Sequence, residues 1–134
     1  MAHPGAALQR AVFKMLRDSA VVTTALGGSS RVYDRVPANA RLPYITIGEI
    51  QIVDDANCGP AWEAFVTTHA WSEAVGKPES QGIADAMGEA LNAQLSVDGF
   101  TCTDWQFRDA RTFTEPDGLT THAVITHRYL IDPA

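Results

Sequence analysis

Residues 44–53, YITIGEIQIV, and residues 62–71, WEAFVTTHAW, are two β-rich runs separated by DDANCGP at residues 54–60. Both runs are rich in β-branched and aromatic residues, which favour strands. The segment between them is dense in Asp, Asn, Gly and Pro, the residues that dominate turns. The pattern predicts an antiparallel hairpin with an acidic tip. Because the first run is apolar on both faces, we expect it inside the sheet or against a neighbouring subunit.

Two further β-rich runs follow nearer the C-terminus, at Phe100–Phe113 and Leu119–Ile131. Residues 115–118, EPDG, join them, and Pro, Asp and Gly stand there in positions typical of a tight turn. The runs predict a second hairpin. A short strand is also predicted over Val32–Val36, ended by Pro37, which cannot continue a sheet interior.

Helical patterns lie before each pair of strands. Apolar residues recur at helical spacing from Leu8 to Leu16, which predicts a helix over residues 5–18. Ser19 is placed to cap a short second helix through Leu26, and Gly27-Gly28 can end it with positive φ angles. Pro78 suits a first helical turn, so we predict another helix over residues 79–95. Its apolar face consists of Ile83, Ala84, Met87, Gly88, Leu91 and Leu95.

The chain of 134 residues, 46% apolar and 19% charged, has the length and composition of one folded domain, residues 1–134. The order of elements predicts an α+β fold, a mostly antiparallel β-sheet with two main helices packed on one face. No run of 18 apolar residues and no signal-peptide pattern is visible, so we expect no membrane segment.

The formal net charge of −6 argues against a nucleic-acid-binding surface, because such a surface must neutralise phosphates with clustered Lys and Arg. The ten basic residues are scattered along the sequence instead. An acidic wall would equally suit a channel through which DNA slides without sticking.

No motif for catalysis or for a cofactor stands out. His122 and His127 are five residues apart on a predicted strand, so their side chains should leave opposite faces and share no ligand. Cys58 and Cys102 are the only cysteines, too few for a disulfide scaffold or a zinc knuckle. Nucleophile elbows, phosphate-binding loops and dinucleotide fingerprints are missing. We therefore expect no enzyme, no cofactor and no metal, although residues brought together from distant positions could still form a catalytic group.

Six aromatic residues fall on predicted strands without interleaved basic residues, so we expect them in the core or in a subunit interface rather than stacked on bases. They are Trp62, Phe65, Trp71, Trp105, Phe107 and Phe113.

Several segments, by their order and spacing, resemble the tail-completion family of siphophage-like particles, which is similar in role and fold to the lambda-type tail terminator. The resemblance covers nearly the whole chain, from the helix at Leu8–Leu16 to the closing strand at Ile131. The segments that carry it between these ends are RLPYITIGE at residues 41–49, THAWS at 68–72, GIADAM at 82–87 and DGL at 117–119.

The resemblance implies a structural virion protein assembled in the bacterial host cytoplasm and placed at the head–tail joint of a phage, prophage or gene transfer agent. It implies a homo-oligomeric ring, expected to be a hexamer, that caps the tail tube and ends its elongation. Its implied partners are the major tail tube protein and the head–tail connector or stopper, with DNA passing through the ring without specific binding.

Loops on a rigid sheet commonly carry contacts, so the two hairpin tips are our candidate docking loops. Two readings compete with a terminator: a head–tail stopper of the same joint, and a non-viral ligand-binding α+β domain, which a polar-lined buried pocket would favour. The candidate docking residues are Asp54, Asp55, Asn57, Glu115 and Asp117.

Overall fold

The computed structural model describes residues 3–55 and 59–134, which form one mostly antiparallel five-stranded sheet with helices packed against one face. The predicted α+β class is confirmed. The elements are α1 (Gly5–Asp18), α2 (Ala20–Ala25), β1 (Val32–Tyr33), β2 (Tyr44–Asp54), β3 (Trp62–Ser72), α3 (Pro78–Leu91), β4 (Phe100–Thr114) and β5 (Thr121–Pro133).

The strands lie in the order β1-β2-β3-β5-β4. Both predicted hairpins are present, since β2 pairs with β3 and β4 pairs with β5, each antiparallel. The central pairing joins β3 to β5 over eleven residues without a register shift. Strand β1 is parallel to β2 and covers it only at Ile45 and Thr46. Among the described residues, the open edges of the sheet are therefore β4 and the second half of β2.

Side chains alternate between the two faces of the sheet. On β3, the side chains at Ala64, Val66, Thr68, Ala70 and Ser72 are buried beneath the helices, whereas those between them are half-buried on the face without helices. Helix α1 packs on β1 and β2, and α3 packs on β3, β4 and β5. The core therefore lies between one sheet face and the helices.

The local helix signals are confirmed at the N-terminal end. Helix α1 has the predicted bounds and buries its apolar stripe. The Ser19 hydroxyl accepts a hydrogen bond from the Val22 N–H at 3.2 Å, the capping contact expected of a serine at this position. Gly27 and Gly28 then take φ angles of 91° and 102°, which end the helix.

Three elements have predicted bounds that were wrong by two or more residues. Helix α3 ends at Leu91 rather than at residue 95, because Asn92 leaves helical geometry and the Gln94 side chain donates to the Cys102 carbonyl on β4. Leu95 is buried after the helix, so its apolar character imitated another helical turn. Strand β1 ends at Tyr33, because only two residues reach a neighbouring strand.

The third error is at the start of β5, which begins at Thr121 rather than at residue 119. The two preceding residues, Leu119 and Thr120, are held in the turn by the Asp117 side chain, which accepts hydrogen bonds from their N–H groups. Of the first hairpin strand, only the beginning lies inside the sheet and the rest is an edge. A contact of that edge with a neighbouring subunit stays a prediction. No helix in residues 3–55 and 59–134 is both long enough and apolar enough to cross a membrane.

Candidate functional site

The predicted docking residues lie at opposite ends of the sheet. Asp54 is the last residue of β2 and is exposed, and Asp55 follows it into the loop. Glu115 and Asp117 lie in the β4–β5 turn, at the end of the sheet where β2 begins. The eleven residues of β2 separate the two ends by about 30 Å at the usual rise of a strand. Asn57 lies outside the described residues.

Asp117 shapes the turn in which it lies. Its Oδ1 accepts from the N–H groups of Leu119 and Thr120 at 2.8 and 2.9 Å, and its Oδ2 accepts from the Thr120 hydroxyl at 2.8 Å. These donors lower the pKa of the Asp117 carboxyl. Gly118 supplies the positive φ of 73° that the turn needs. The carboxylate therefore fixes the loop's shape and delays the start of β5.

Glu115 anchors the same turn to the sheet through two histidines. Its Oε1 lies 2.6 Å from Nδ1 of His122, and Nε2 of His122 lies 2.7 Å from Nδ1 of His69. His122 donates its Nδ1–H to the Glu115 carboxylate, and its Nε2 shares the second hydrogen bond with Nδ1 of His69. The result is a continuous hydrogen-bonded chain from the turn across β5 to β3.

Aromatic rings enclose this histidine pair on the face of the sheet without helices. The Trp71 ring stacks on His122 with centroids 3.7 Å apart, and Phe113 lies 4.9 Å away from the same ring. Trp71 also donates from Nε1 to the Thr46 hydroxyl at 3.1 Å. Burial, with a smaller contribution from the charge of His122, lowers the pKa of His69. This environment favours the neutral form of the His69 ring and holds this end of the sheet rigid.

Few catalytic roles are open to the His69–His122 pair. Among the described residues, neither ring is hydrogen-bonded to a hydroxyl or thiol that it could activate as a nucleophile. Residues 3–55 and 59–134 also contain no group of three His, Cys, Asp or Glu side chains placed to hold a metal ion. The geometry therefore supports a structural role for the chain from Glu115 to His69.

His127 leaves the opposite face from His122, as predicted, and lies buried beneath α3. Its Nε2–H donates to the Gly88 carbonyl at 3.3 Å. Its Nδ1 and the Thr68 hydroxyl are buried without a partner in the described part of the chain. Burial lowers the pKa of His127 and raises that of its neighbour Tyr129, whose hydroxyl donates to the Leu91 carbonyl.

The contact between His69 and His122 escaped sequence reasoning. The two residues lie on β3 and β5, which are separated in the chain by α3 and β4. No local signal specifies which strands pair, so the register that places Trp71 opposite His122 became visible only in the folded sheet.

The six aromatic residues predicted for the core or an interface, all on strands, lie outside the buried core. An interface role therefore stays a prediction for them. The most exposed lie on β4, where Trp105, Phe107 and Phe113 are 38%, 44% and 38% exposed. Phe107 contacts the His127 ring edge-on, with centroids 5.6 Å apart. A solvent-facing strand with three large aromatic side chains is the most apolar exposed element of the described sheet.

Comparison with known proteins identifies a matching family and similar structures. A family model described as "Tail completion protein gp17" matches residues 10–132. A chain of the virion of a native gene transfer agent particle is 23% identical, with a TM-score of 0.86 over 98% of both chains. The bacteriophage SPP1 gp17 protein is also 23% identical, with a TM-score of 0.58 over 92% of this chain and 88% of that one. None of the curated proteins matches the sequence.

Proposed function

The chain belongs to the tail completion protein gp17 family and is a virion component, and we propose that it is a tail terminator. In this proposal, six copies form a ring on the end of the tail tube. One end of the ring binds the last tube ring, and the other presents a surface to the head–tail connector. Elongation stops because that second surface does not accept another tube subunit.

The observation that carries the proposal is the placement of the two candidate loops. A terminator must bind different partners on its two sides, and the loop after Asp54 lies at the opposite end of the sheet from the Glu115–Asp117 turn. Strands held by continuous hydrogen bonding between β3 and β5 form a rigid spacer between these loops. The histidine chain fixes the shape of one of them.

The charge of the protein suits a ring through which DNA passes without specific binding. The net charge of −6 repels the phosphate backbone, and specific or non-specific DNA binding would require neutralising cations. The proposal contains no catalytic step. The similar chain of the gene transfer agent particle is part of a virion. We assign this chain to the head–tail joint on the strength of the proposed terminator role.

The test is to add the purified protein to tail tubes encoded beside it and to image the tube ends by negative-stain electron microscopy. We expect a ring at one end of each tube and no further elongation when tube protein is supplied. Bare ends with continued elongation would refute the terminator. Binding to the connector alone would identify a head–tail stopper.

Charge reversal tests the acidic loop separately. Replacing Asp54 and Asp55 by lysine should weaken docking to the tube or connector without unfolding the sheet, because Asp54 is exposed at the end of its strand. Asp85→Lys with Glu89→Lys is the matched control, since it makes the same change in net charge on the exposed face of α3. If both double variants dock equally well, the loop has no specific role.

A further inference from the structure

The two open edges of the sheet are complementary to each other, and the proposal below rests on the ring proposed above. We propose that β4 of one copy pairs with the open half of β2 of a second copy, so that the sheet continues from subunit to subunit. Unpaired N–H and C=O groups along a strand edge are a template for another strand. The partner is therefore a second copy of this chain.

Strand directions favour the pairing. Strand β2 is antiparallel to β3, β3 to β5 and β5 to β4, so β4 runs opposite to β2. Rotation about an axis along the strands keeps every strand direction unchanged from copy to copy. Such a ring brings β4 beside the next copy's β2 in antiparallel orientation. The two edges differ, so the contact is head-to-tail and can close into a ring.

The register across the sheet specifies which residues meet. Trp105 lies opposite Tyr129, which lies opposite Ala64 and then Ile52. Phe107 is joined in the same way, through His127 and Val66, to Ile50. Rotation about an axis parallel to the strands does not move any residue along that axis. Residues that lie opposite one another in the sheet of a single copy therefore stay level with the same residues of the next copy. Trp105 should therefore meet Ile52, and Phe107 should meet Ile50, of the next copy.

The exposed apolar side chains then fall on the same side. Trp105 and Phe107 lie on the helix-covered side, as Tyr129 beside Trp105 reaches the Leu91 carbonyl of α3. Ile52 lies on that side too, because a Cβ built on Gly5 of α1 would be 3.9 Å from its Cγ1. Aromatic and β-branched residues in opposed positions are a stabilising cross-strand combination. The pairing therefore covers two aromatic side chains that are 38% and 44% exposed in one copy.

The shapes of the β4 edge and of the open half of β2 also suit a short strand pairing between two copies. A recess of about 420 Å³ lies between the start of α1 and β2, lined in part by Ile50 and Ile52, and can receive an aromatic ring. On β4, the register shifts between Cys102 and Asp104 and again between Phe107 and Asp109. The regular stretch between these bulges, residues 104–107, has the same length as residues 50–53 of β2. Bulges at its ends limit how far the pairing can extend.

Disulfide trapping in assembled particles tests the register. Gln51 and Gln106 are exposed, lie in one row, and face the side without helices. Within one copy they are three strand spacings apart, about 14 Å, far beyond the reach of a disulfide of about 7 Å between Cα atoms. Gln51→Cys with Gln106→Cys, in a Cys58→Ser background, can therefore link only different copies.

We expect oxidised particles carrying this variant to give a ladder of linked chains on a non-reducing gel. Gln51→Cys with Arg111→Cys is the matched control, as Arg111 is exposed on the same strand four rows away, and it should give no ladder. Val53→Cys with Asp104→Cys, two rows away and on the same face of the sheet, is a second in-register pair if the first variant does not assemble.

Three results separate the possibilities. If the protein is present in particles and neither in-register pair gives a ladder, the edge pairing is wrong while the terminator can still be right. Dimers from Gln106→Cys alone would overturn the proposal in favour of β4 pairing with itself. If the unmodified protein is missing from purified particles by immunoblotting, the proposed function itself fails.

Discussion

Replacing Gly48 by alanine is expected to destabilise the protein strongly for so small a change. Gly48 lies where the β2–β3 register shifts between Ile47 and Ile50. A Cβ at this position would be 2.5 Å from Nε2 of His69 and 2.8 Å from the carbonyl oxygen of Thr67. Real Cβ atoms essentially never approach other atoms this closely, so the methyl group must displace its neighbours.

The neighbours of Gly48 cannot move cheaply. The Thr67 oxygen belongs to the backbone of a central strand, and the His69 ring is held by its 2.7 Å hydrogen bond to His122. Overpacking of this kind costs about 1–3 kcal/mol. If His69 turns away, the lost hydrogen bond adds about 1 kcal/mol. We therefore expect the free energy of unfolding to fall by about 2–4 kcal/mol.

Gly82 provides the matched control, because the same substitution there should have the opposite sign. Gly82 lies within α3, is exposed, and has no atom within 4 Å of a built Cβ. Alanine in a helix is favoured over glycine by about 0.5–1 kcal/mol. Urea unfolding followed by circular dichroism measures both variants against the parent.

Overpacking at residue 48 is refuted if Gly48→Ala is as stable as the parent protein, or if it and Gly82→Ala shift the urea midpoint in the same direction. A second comparison identifies the atoms responsible. In a His69→Ala background the ring is gone and only the Thr67 carbonyl remains in the way, so Gly48→Ala should cost less there than in the parent.

Three smaller predictions concern the helices and the buried histidines. Ser19→Ala should cost about 1 kcal/mol in urea unfolding through loss of the α2 cap; an unchanged midpoint would contradict this. Met87→Ala should cost about 2–5 kcal/mol, because Met87 is fully buried in α3. A loss below 1 kcal/mol would contradict this and show that the surrounding side chains move in to fill the cavity. Burial lowers the pKa of His69 and His127, so the unfolded chain takes up protons more readily, and stability should fall as the pH drops below about 6.5. His127→Phe should make this decline shallower between pH 7 and pH 5, because it removes one of the two buried rings whose pKa is lowered. The Gly88 carbonyl keeps its hydrogen bond from the Asn92 N–H, so the variant leaves it paired. A parallel decline would count against the burial of this ring as a cause.

The terminator proposal and the edge pairing make different demands on the molecule. The first needs two distinct docking ends, which the strand length separates by about 30 Å. The second needs two distinct lateral edges, and the sheet order supplies β4 on one side and the open half of β2 on the other. Ends and edges are separate surfaces, so variants of each can be tested independently.

Elements with local signals were predictable from the sequence alone. The apolar stripe of α1, the Ser19 cap with Gly27-Gly28, and both hairpins depend on residues close together in the chain, and the fold contains all of them. The resemblance to tail-completion proteins, which rested on the order of such segments, is confirmed by the family match over residues 10–132. The end of α3 was wrong, because a buried residue after a helix carries the same apolar signal as one inside it.

Only the tertiary structure decided which strands became neighbours. Pairing of β3 with β5 left β4 and half of β2 as edges, brought His69 to His122, and set Trp105 in one row with Ile52. Such contacts join residues far apart in the chain, where the apolar pattern reports that a strand has a buried face but does not identify its partner. The sequence therefore determined the elements and the family, and the long-range pairing of strands determined the surfaces available for assembly.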